Sequence, residues 1–215
     1  MSIPMYFVAK QKENVTQSGA IALPYSCGSS KNGNLRLPEH FWTGVPLLVD
    51  DAVPTLLSSA GLKRLTELCE KGCILDFERS VSQFHISLLR RLSELPLPFL
   101  WLPERYLSHA PKAVAIVSHG LPHNSWQQFC HAQQSRFKNG WALELQPMHC
   151  VKKMPYPQKS QDFYLSDAHC RGKIENDSIT YYDTKKTLLK KLHIASEFGC
   201  QGGIALWSEW SALPG

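Results

Sequence analysis

The run Gly72-Cys73-Ile74-Leu75-Asp76-Phe77-Glu78-Arg79 sets two acids at alternate positions of an otherwise apolar stretch. Strand side chains alternate between faces, so Ile74, Asp76 and Glu78 share one side and Cys73, Leu75 and Phe77 the other. The second side is wholly apolar, as expected where a strand backs onto a covering helix. The first carries two carboxylates about 7 Å apart by strand rise. Burying such a pair is unfavourable unless the acids are used or hydrogen-bonded. Like charges that close push one pKa upward, which leaves a protonated acid beside an ionised one. General acid–base chemistry needs that pairing. The competing reading is a structural pair bound by arginine or backbone groups, but buried paired acids favour a site.

The elements that must position these acids are short apolar runs alternating with amphipathic stretches. Strands are predicted at 5–9, 20–25, 45–49, 73–77, 99–102, 113–117, 142–146 and 203–207. Their interiors are nearly continuous apolar sequence, the mark of parallel strands covered on both faces. Four helices are predicted between them. Leu62, Leu65 and Cys69 space the first, with Ser58 or Ser59 as its cap. Val81, Phe84, Leu88, Leu92 and Leu95 space the second, from Ser80 to Pro96. The third follows Ser125 through Trp126, Phe129, Cys130 and Phe137 to Asn139-Gly140. The last runs through Leu188, Leu189, Leu192 and Ala195, with Asp183 or Thr184 capping and Gly199 as its stop.

This alternation predicts a compact (β/α)8 TIM barrel filling residues 1–215 as a single domain. Residues 10–19 are too few for a first outer helix and 26–43 read as loop, so two or three outer helices are missing or degenerate. Residues 150–182 form the longest stretch without periodicity, and Lys152-Lys153-Met154-Pro155-Tyr156-Pro157 reads as an exposed connection. Long connections after barrel strands commonly carry substrate-binding structure.

With 215 residues, 43% hydrophobic and 19% charged, the chain is long enough for one buried core. A net charge of +5 is modest and scattered. Lys185-Lys186 and Lys190-Lys191 read as the solvated face of the last helix, and no aromatic-and-basic motif points to nucleic acid. No segment has the length of a membrane span. The N-terminal residues lack the basic leader and apolar run of a signal peptide. Seven cysteines, an odd number without a CxxC pair, point to a reducing compartment and a cytoplasmic protein. No cofactor is expected.

The 72–79 run resembles the fourth-strand signature of family 18 glycoside hydrolases, the chitinase-like barrels. That signature is a glycine followed by three acids at alternate positions, the last of them catalytic. Asp76 matches the middle acid and Glu78 the catalytic one, while Ile74 stands where the first acid belongs. A second match spans Ile179-Thr180-Tyr181-Tyr182-Asp183, the lysine-rich helix, and Phe198-Gly199-Cys200-Gln201-Gly202-Gly203-Ile204-Ala205-Leu206-Trp207. It is similar to the family's closing unit, a Gly-Gly strand that ends in an inward tryptophan. Ser118 and His119 replace the tyrosine and aspartate that usually end the sixth strand.

The resemblance implies hydrolysis of glycans containing N-acetylglucosamine, in which the substrate's own acetamide oxygen is the nucleophile. Glu78 would be the general acid, then the base. Asp76 would orient the acetamide, and Trp207 would floor the sugar site. A barrel impaired by loss of the first acid, binding carbohydrate without cleaving it, is the alternative.

Other strand ends supply further candidates. Glu104 could be a third acid at the mouth or a surface partner of Arg105. Glu144, Gln146 and Met148 share a face, so Gln146 could bond a sugar hydroxyl. Asp50 and Asp51 could line the rim or cap a turn. Trp101, on the opposite parity from Leu100 and Leu102, is expected against the helices. His119, His123 and His149 with Asp50-Asp51 raise a metal-dependent hydrolase, a weak alternative because Leu121-Pro122 breaks the histidine spacing.

Overall fold

The computed structural model describes every residue of the chain except 1–2, 11–12, 18, 26, 40–43, 51–55, 120–124 and 148. Eight parallel strands form the barrel wall: β1 (Met5–Ala9), β2 (Ala20–Pro24), β3 (Leu47–Val49), β4 (Cys73–Asp76), β5 (Leu100–Pro103), β6 (Val114–Ser118), β7 (Trp141–Glu144) and β8 (Cys200–Leu206). The hydrogen-bonded order is β2-β1-β8-β7-β6-β5-β4-β3. Between β3 and β2 the wall is drawn together by a parallel bridge from Leu48 to Cys27, three residues beyond β2. The fold is a nearly closed (β/α)8 TIM barrel.

The outer layer is uneven, as the spacing implied. The segment after β1 holds no helix among the described residues. After β2 comes a two-stranded ribbon, Gly28–Ser29 with Leu35–Arg36. Helix α1 (Ser59–Leu68) follows β3, capped by Ser58, whose hydroxyl accepts from Gly61 N at 3.1 Å. Helix α2 (Gln83–Glu94) follows β4 and stops at Leu95, before Pro96. It begins after Ser82 rather than Ser80, because the amides of Glu78 and Arg79 are tied to Asp50 and the chain stays non-helical there. A 3-10 segment, Glu104–His109, replaces the helix after β5. Helix α3 (Trp126–Arg136) follows β6, and its first amide donates to Asp167 O at 2.7 Å instead of to a side-chain cap.

Residues 150–182, expected to lack periodicity and to include an exposed connection at 152–157, fold as a long antiparallel ribbon, His149–Leu165 against Cys170–Tyr182. His149–Leu165 is largely exposed and Cys170–Tyr182 mostly half-buried, which explains why no apolar periodicity marks them. Pairing skips from Lys153↔Ser178 to Gln158↔Asn176, so four residues oppose Asp177 alone. The ribbon doubles back at this elbow. Phe163 reaches within 6.1 Å of Tyr181, although their strand partners are Gly172 and Cys150. Its turn lies against α3, with Ala168 and Cys170 buried.

Helix α4 (Lys185–Glu197) is capped by Thr184, which accepts from Thr187 N at 3.2 Å, and ends before Gly199 at φ 82°. Lys191 is not on a solvated face. It is 1% exposed, and its ammonium donates to Asp183 at 2.9 and 3.0 Å. Asp183 also accepts from the Thr187 hydroxyl at 2.9 Å. The short helix α5 (Trp207–Ala212) closes the chain. Among the described residues no helix is long and apolar enough to cross a membrane.

Inside the wall, Leu47, Ile74, Trp101 and Val114 lie in register on adjacent strands and pack together. Trp101 therefore fills the barrel, contrary to the expectation from its parity. Its neighbours Leu100 and Leu102 face the helices with Cys73, Leu75 and Phe77. Gly202 makes room for the indole: a Cβ there would sit 2.4 Å from Trp101 Cη2 and 3.0 Å from Pro4 O. Gly203 faces outward, where a Cβ would meet Leu145 and Leu192.

Gly202→Ala is expected to lower stability by about 1–3 kcal/mol through overpacking, read from denaturant midpoints. Lys191→Met removes the cation beside the buried Asp183 carboxylate and is expected to lose about 3–5 kcal/mol in the same measurement.

Candidate active site

The C-terminal ends of the strands surround a cavity of about 770 Å³. Asp76, Pro103, Ser118, Glu144 and Leu206 are the last residues of β4, β5, β6, β7 and β8, and all line it. Glu78, Glu104, Arg105, Gln146 and Glu209 complete its polar wall. Among the described residues that line it, five carboxylates thus face one guanidinium, in a chain whose net charge is +5.

Strand alternation from the buried Ile74 aims Asp76 inward, and Glu78 follows in the turn beyond β4. That turn is held from two sides. The Asp50 carboxylate accepts from Glu78 N at 2.8 Å and Arg79 N at 3.0 Å, and Arg79 Nε donates to Asp50 O at 2.6 Å. From the other side, Arg105 donates to Phe77 O and the Tyr106 hydroxyl to Arg79 O. Arg105 also lies 5.5 Å from the Tyr106 ring centroid.

The Asp76 pKa is pushed up to about 6, chiefly by burial, then by Glu144, Glu78 and Asp50, against the pull of Arg105. Its side chain is nonetheless open to the cavity. The two facts agree if water reaches the carboxylate from the mouth alone while protein surrounds its other sides. Asp76 is thus partly protonated just below neutrality. Elsewhere on the rim, Ser118 donates to Glu144, and Glu104 pairs with Arg136 rather than Arg105.

The structure brings Asp76, Glu78, Glu104, Ser118 and Gln146 to one cavity, and sets three other candidates outside it. Asp50 is 3% exposed and lies behind the 78–79 turn, its carboxylate occupied by backbone amides and His85. His119 faces outward against Trp126 and Phe129, at 4.6 and 5.7 Å between ring centroids. Burial, then Lys191, lowers its pKa to about 4 against the pull of Asp183, so the ring is neutral at pH 7.

Trp207 does share a face with Gly203 and Ala205, but that face is the outer one. Ile204 and Leu206 pair with the inward Tyr6 and Val8, so the next residue points away and packs edge-on against Phe7 at 5.3 Å. Leu206 takes the place at the mouth. Asp51, His123 and Met148 lie outside the described residues. Among the described residues no group of three or more His, Cys, Asp or Glu is arranged to hold a metal ion.

Glu144, Arg105 and Glu209 were not among the expected site residues. Glu144 was within reach of sequence reasoning, since it shares a strand face with Gln146. Nothing in the sequence marks Glu209, which the first turn of α5 brings to the rim.

No family model matches the chain, and no curated protein matches it. Solved structures do. The spore cortex-lytic enzyme SleL of Bacillus cereus is similar with a TM-score of 0.61 and 10% identity, over 99% of this chain and 71% of that one. SleL of Bacillus megaterium QM B1551 gives 0.59 and 10% over the same shares, 99% and 71%. A family GH18 chitinase from Cycas revoluta, in complex with allosamidin, covers 70% of this chain and 69% of its own at 0.41 and 11%. The resemblance is one of fold. It makes the barrel similar in architecture to that of the SleL enzymes.

Asp76→Asn is expected to be more stable than the unaltered protein at pH 7–8. A carboxyl whose folded pKa lies above its unfolded one destabilises the fold when ionised. The advantage should therefore shrink as pH falls through about 6 and vanish near the ordinary aspartate value. Melting temperatures across pH 4–8 check the sign.

Proposed function

We propose that this chain is a glycoside hydrolase acting on glycans that contain N-acetylglucosamine. One observation carries the reading: Asp76 and Glu78 open into the same cavity at the C-terminal mouth of a TIM barrel, the end where such barrels build their active sites. Glu78 protonates the departing glycosidic oxygen while the substrate's acetamide oxygen attacks the anomeric carbon. The bond to the leaving sugar breaks and an oxazolinium ring forms. Glu78, now ionised, takes a proton from water, which attacks the same carbon and reopens the ring.

Asp76 orients the acetamide and, when ionised, stabilises its positive charge. Ile74 supplies no companion acid, and Glu144 lines the same cavity, where its charge helps raise the Asp76 pKa. The similar SleL proteins are spore cortex-lytic enzymes, which supports trying peptidoglycan fragments beside chitooligosaccharides. Seven unpaired cysteines support a cytoplasmic site of action.

A second reading has its own observation. Trp207 lies on the outer face, and Phe77, the one aromatic among the described residues that line the cavity, turns its ring to the helices. A site without an indole floor fits a barrel that binds carbohydrate and has lost turnover.

Glu78→Gln separates the two. The hydrolase reading expects product release from N-acetylglucosamine oligosaccharides to fall about 10²–10⁴-fold, with binding retained in calorimetry. Turnover that survives the change removes Glu78 as the acid, and binding without any turnover in the unaltered protein establishes the second reading. Because ionised Asp76 is required, activity should also decline on the acid side through about 6.

A further inference from the structure

Asp50 is a buried carboxylate to which the proposed chemistry gives no direct part, yet its bonds converge on the residue that reaction depends on. It accepts three hydrogen bonds: from Glu78 N at 2.8 Å, from Arg79 N at 3.0 Å and from His85 Nε2 at 3.0 Å. The last of these has a determined direction. Ser82 N–H donates to His85 Nδ1 at 3.0 Å, so Nδ1 is an acceptor and the ring proton sits on Nε2, aimed at Asp50. His85 is 0% exposed and packs between Phe77 and Tyr106, with ring centroids 5.0 and 5.2 Å away. The imidazole is therefore fixed in tautomer and in orientation, and it fixes the carboxylate in turn.

We propose that Asp50 and His85 are positioning residues that hold the Glu78 carboxylate at its working place in the cavity. This rests on the assignment of Glu78 as the acid and base. Glu78 is the second residue past the end of β4, where the strand's own ladder no longer restrains it. Its side chain must meet a glycosidic oxygen and then a water molecule at one site, so its backbone has to be fixed by something other than the sheet. Asp50 supplies that restraint at two consecutive amides. A carboxylate does this better than a neutral amide would, because both of its oxygens accept and both amides point at it. The restraint comes from beneath, leaving the cavity side of Glu78 open to substrate.

The test compares Asp50→Asn, His85→Leu and His85→Gln with the unaltered protein and Glu78→Gln. Turnover of N-acetylglucosamine oligosaccharides is measured together with amide hydrogen exchange at Glu78 and Arg79. Asn offers one acceptor where two amides point, Leu removes the imidazole donor, and Gln restores a donor. Asp50→Asn and His85→Leu should lower kcat about 10- to 100-fold with KM within about twofold, and His85→Gln should recover most of the loss. Exchange at residues 78 and 79 should quicken in the first two variants, while Leu75 within β4 stays protected.

Equal falls in kcat and in β4 protection would make Asp50 a general stabiliser and overturn the proposal. So would fast exchange at residues 78 and 79 in the unaltered protein, a result that needs no variant to fold. If the unaltered protein shows no Glu78-dependent turnover, the hydrolase reading itself fails and takes this role with it. Glu78-dependent turnover with kcat unchanged in Asp50→Asn sinks the positioning role alone.

Discussion

Leu47, Ile74, Trp101 and Val114 form a row across four adjacent strands, and the direction in which that row points decides where everything above it goes. In a parallel sheet, residues in register present their side chains to the same side, and successive residues alternate. Once the indole of Trp101 occupies the interior, Ile74 beside it must face inward, and two residues on so must Asp76. The same alternation sends Cys73, Leu75 and Phe77 to the helices. A slip of one residue would exchange the two sets and turn the acids into the outer core. The bulk of Trp101 is admitted because Gly202 has no side chain to oppose it. A tryptophan on one strand and a glycine on another thus share the task of fixing the polarity of the barrel.

Above that row the character of the interior changes from apolar to acidic. The mouth gathers carboxylates that would repel one another if left alone, and the surrounding structure answers several of them individually. Ser118 reaches Glu144, Arg136 reaches Glu104, and Arg105 stands within the cavity. Among the described residues Asp76 has no such dedicated partner, and burial raises its pKa above the ordinary aspartate value. This is an arrangement that a barrel tuned for stability alone would avoid. The apolar layers below, and the buried Asp183–Lys191 pair on the outer side, belong to the scaffold that tolerates it.

Much of the barrel was legible from residue order, because β strands buried on both faces leave apolar runs and capped helices leave punctuation. Ser58, Thr184 and Gly199 marked their boundaries correctly. The sense of inside and outside was not legible where both faces of a strand are apolar. Leu100-Trp101-Leu102 alternates without saying which parity faces the axis, and only its register with Ile74 supplies the sign. The tryptophan at the end of β8 failed for the same reason, one residue too late to point inward. Asp50 looked like a rim residue because its partners, two amides and a histidine 35 positions away, are set by tertiary contacts. Lys191 looked solvated among its neighbouring lysines until Asp183 was found beside it. Asp76 and Glu78 were readable because spacing alone ties them to Ile74.

The doubled ribbon after β7 limits what could pair with its free edges. A straight two-stranded ribbon of this length would offer a long free edge, and such edges recruit strands from other molecules. Here the edge is broken at the elbow, where Pro155 and Pro157 contribute no amide hydrogen and Asn176 turns the opposite strand at φ 52°. An incoming strand would find a bend and missing donors in place of a continuous template. The elbow that folds the ribbon back onto α3 therefore also guards against edge-to-edge association.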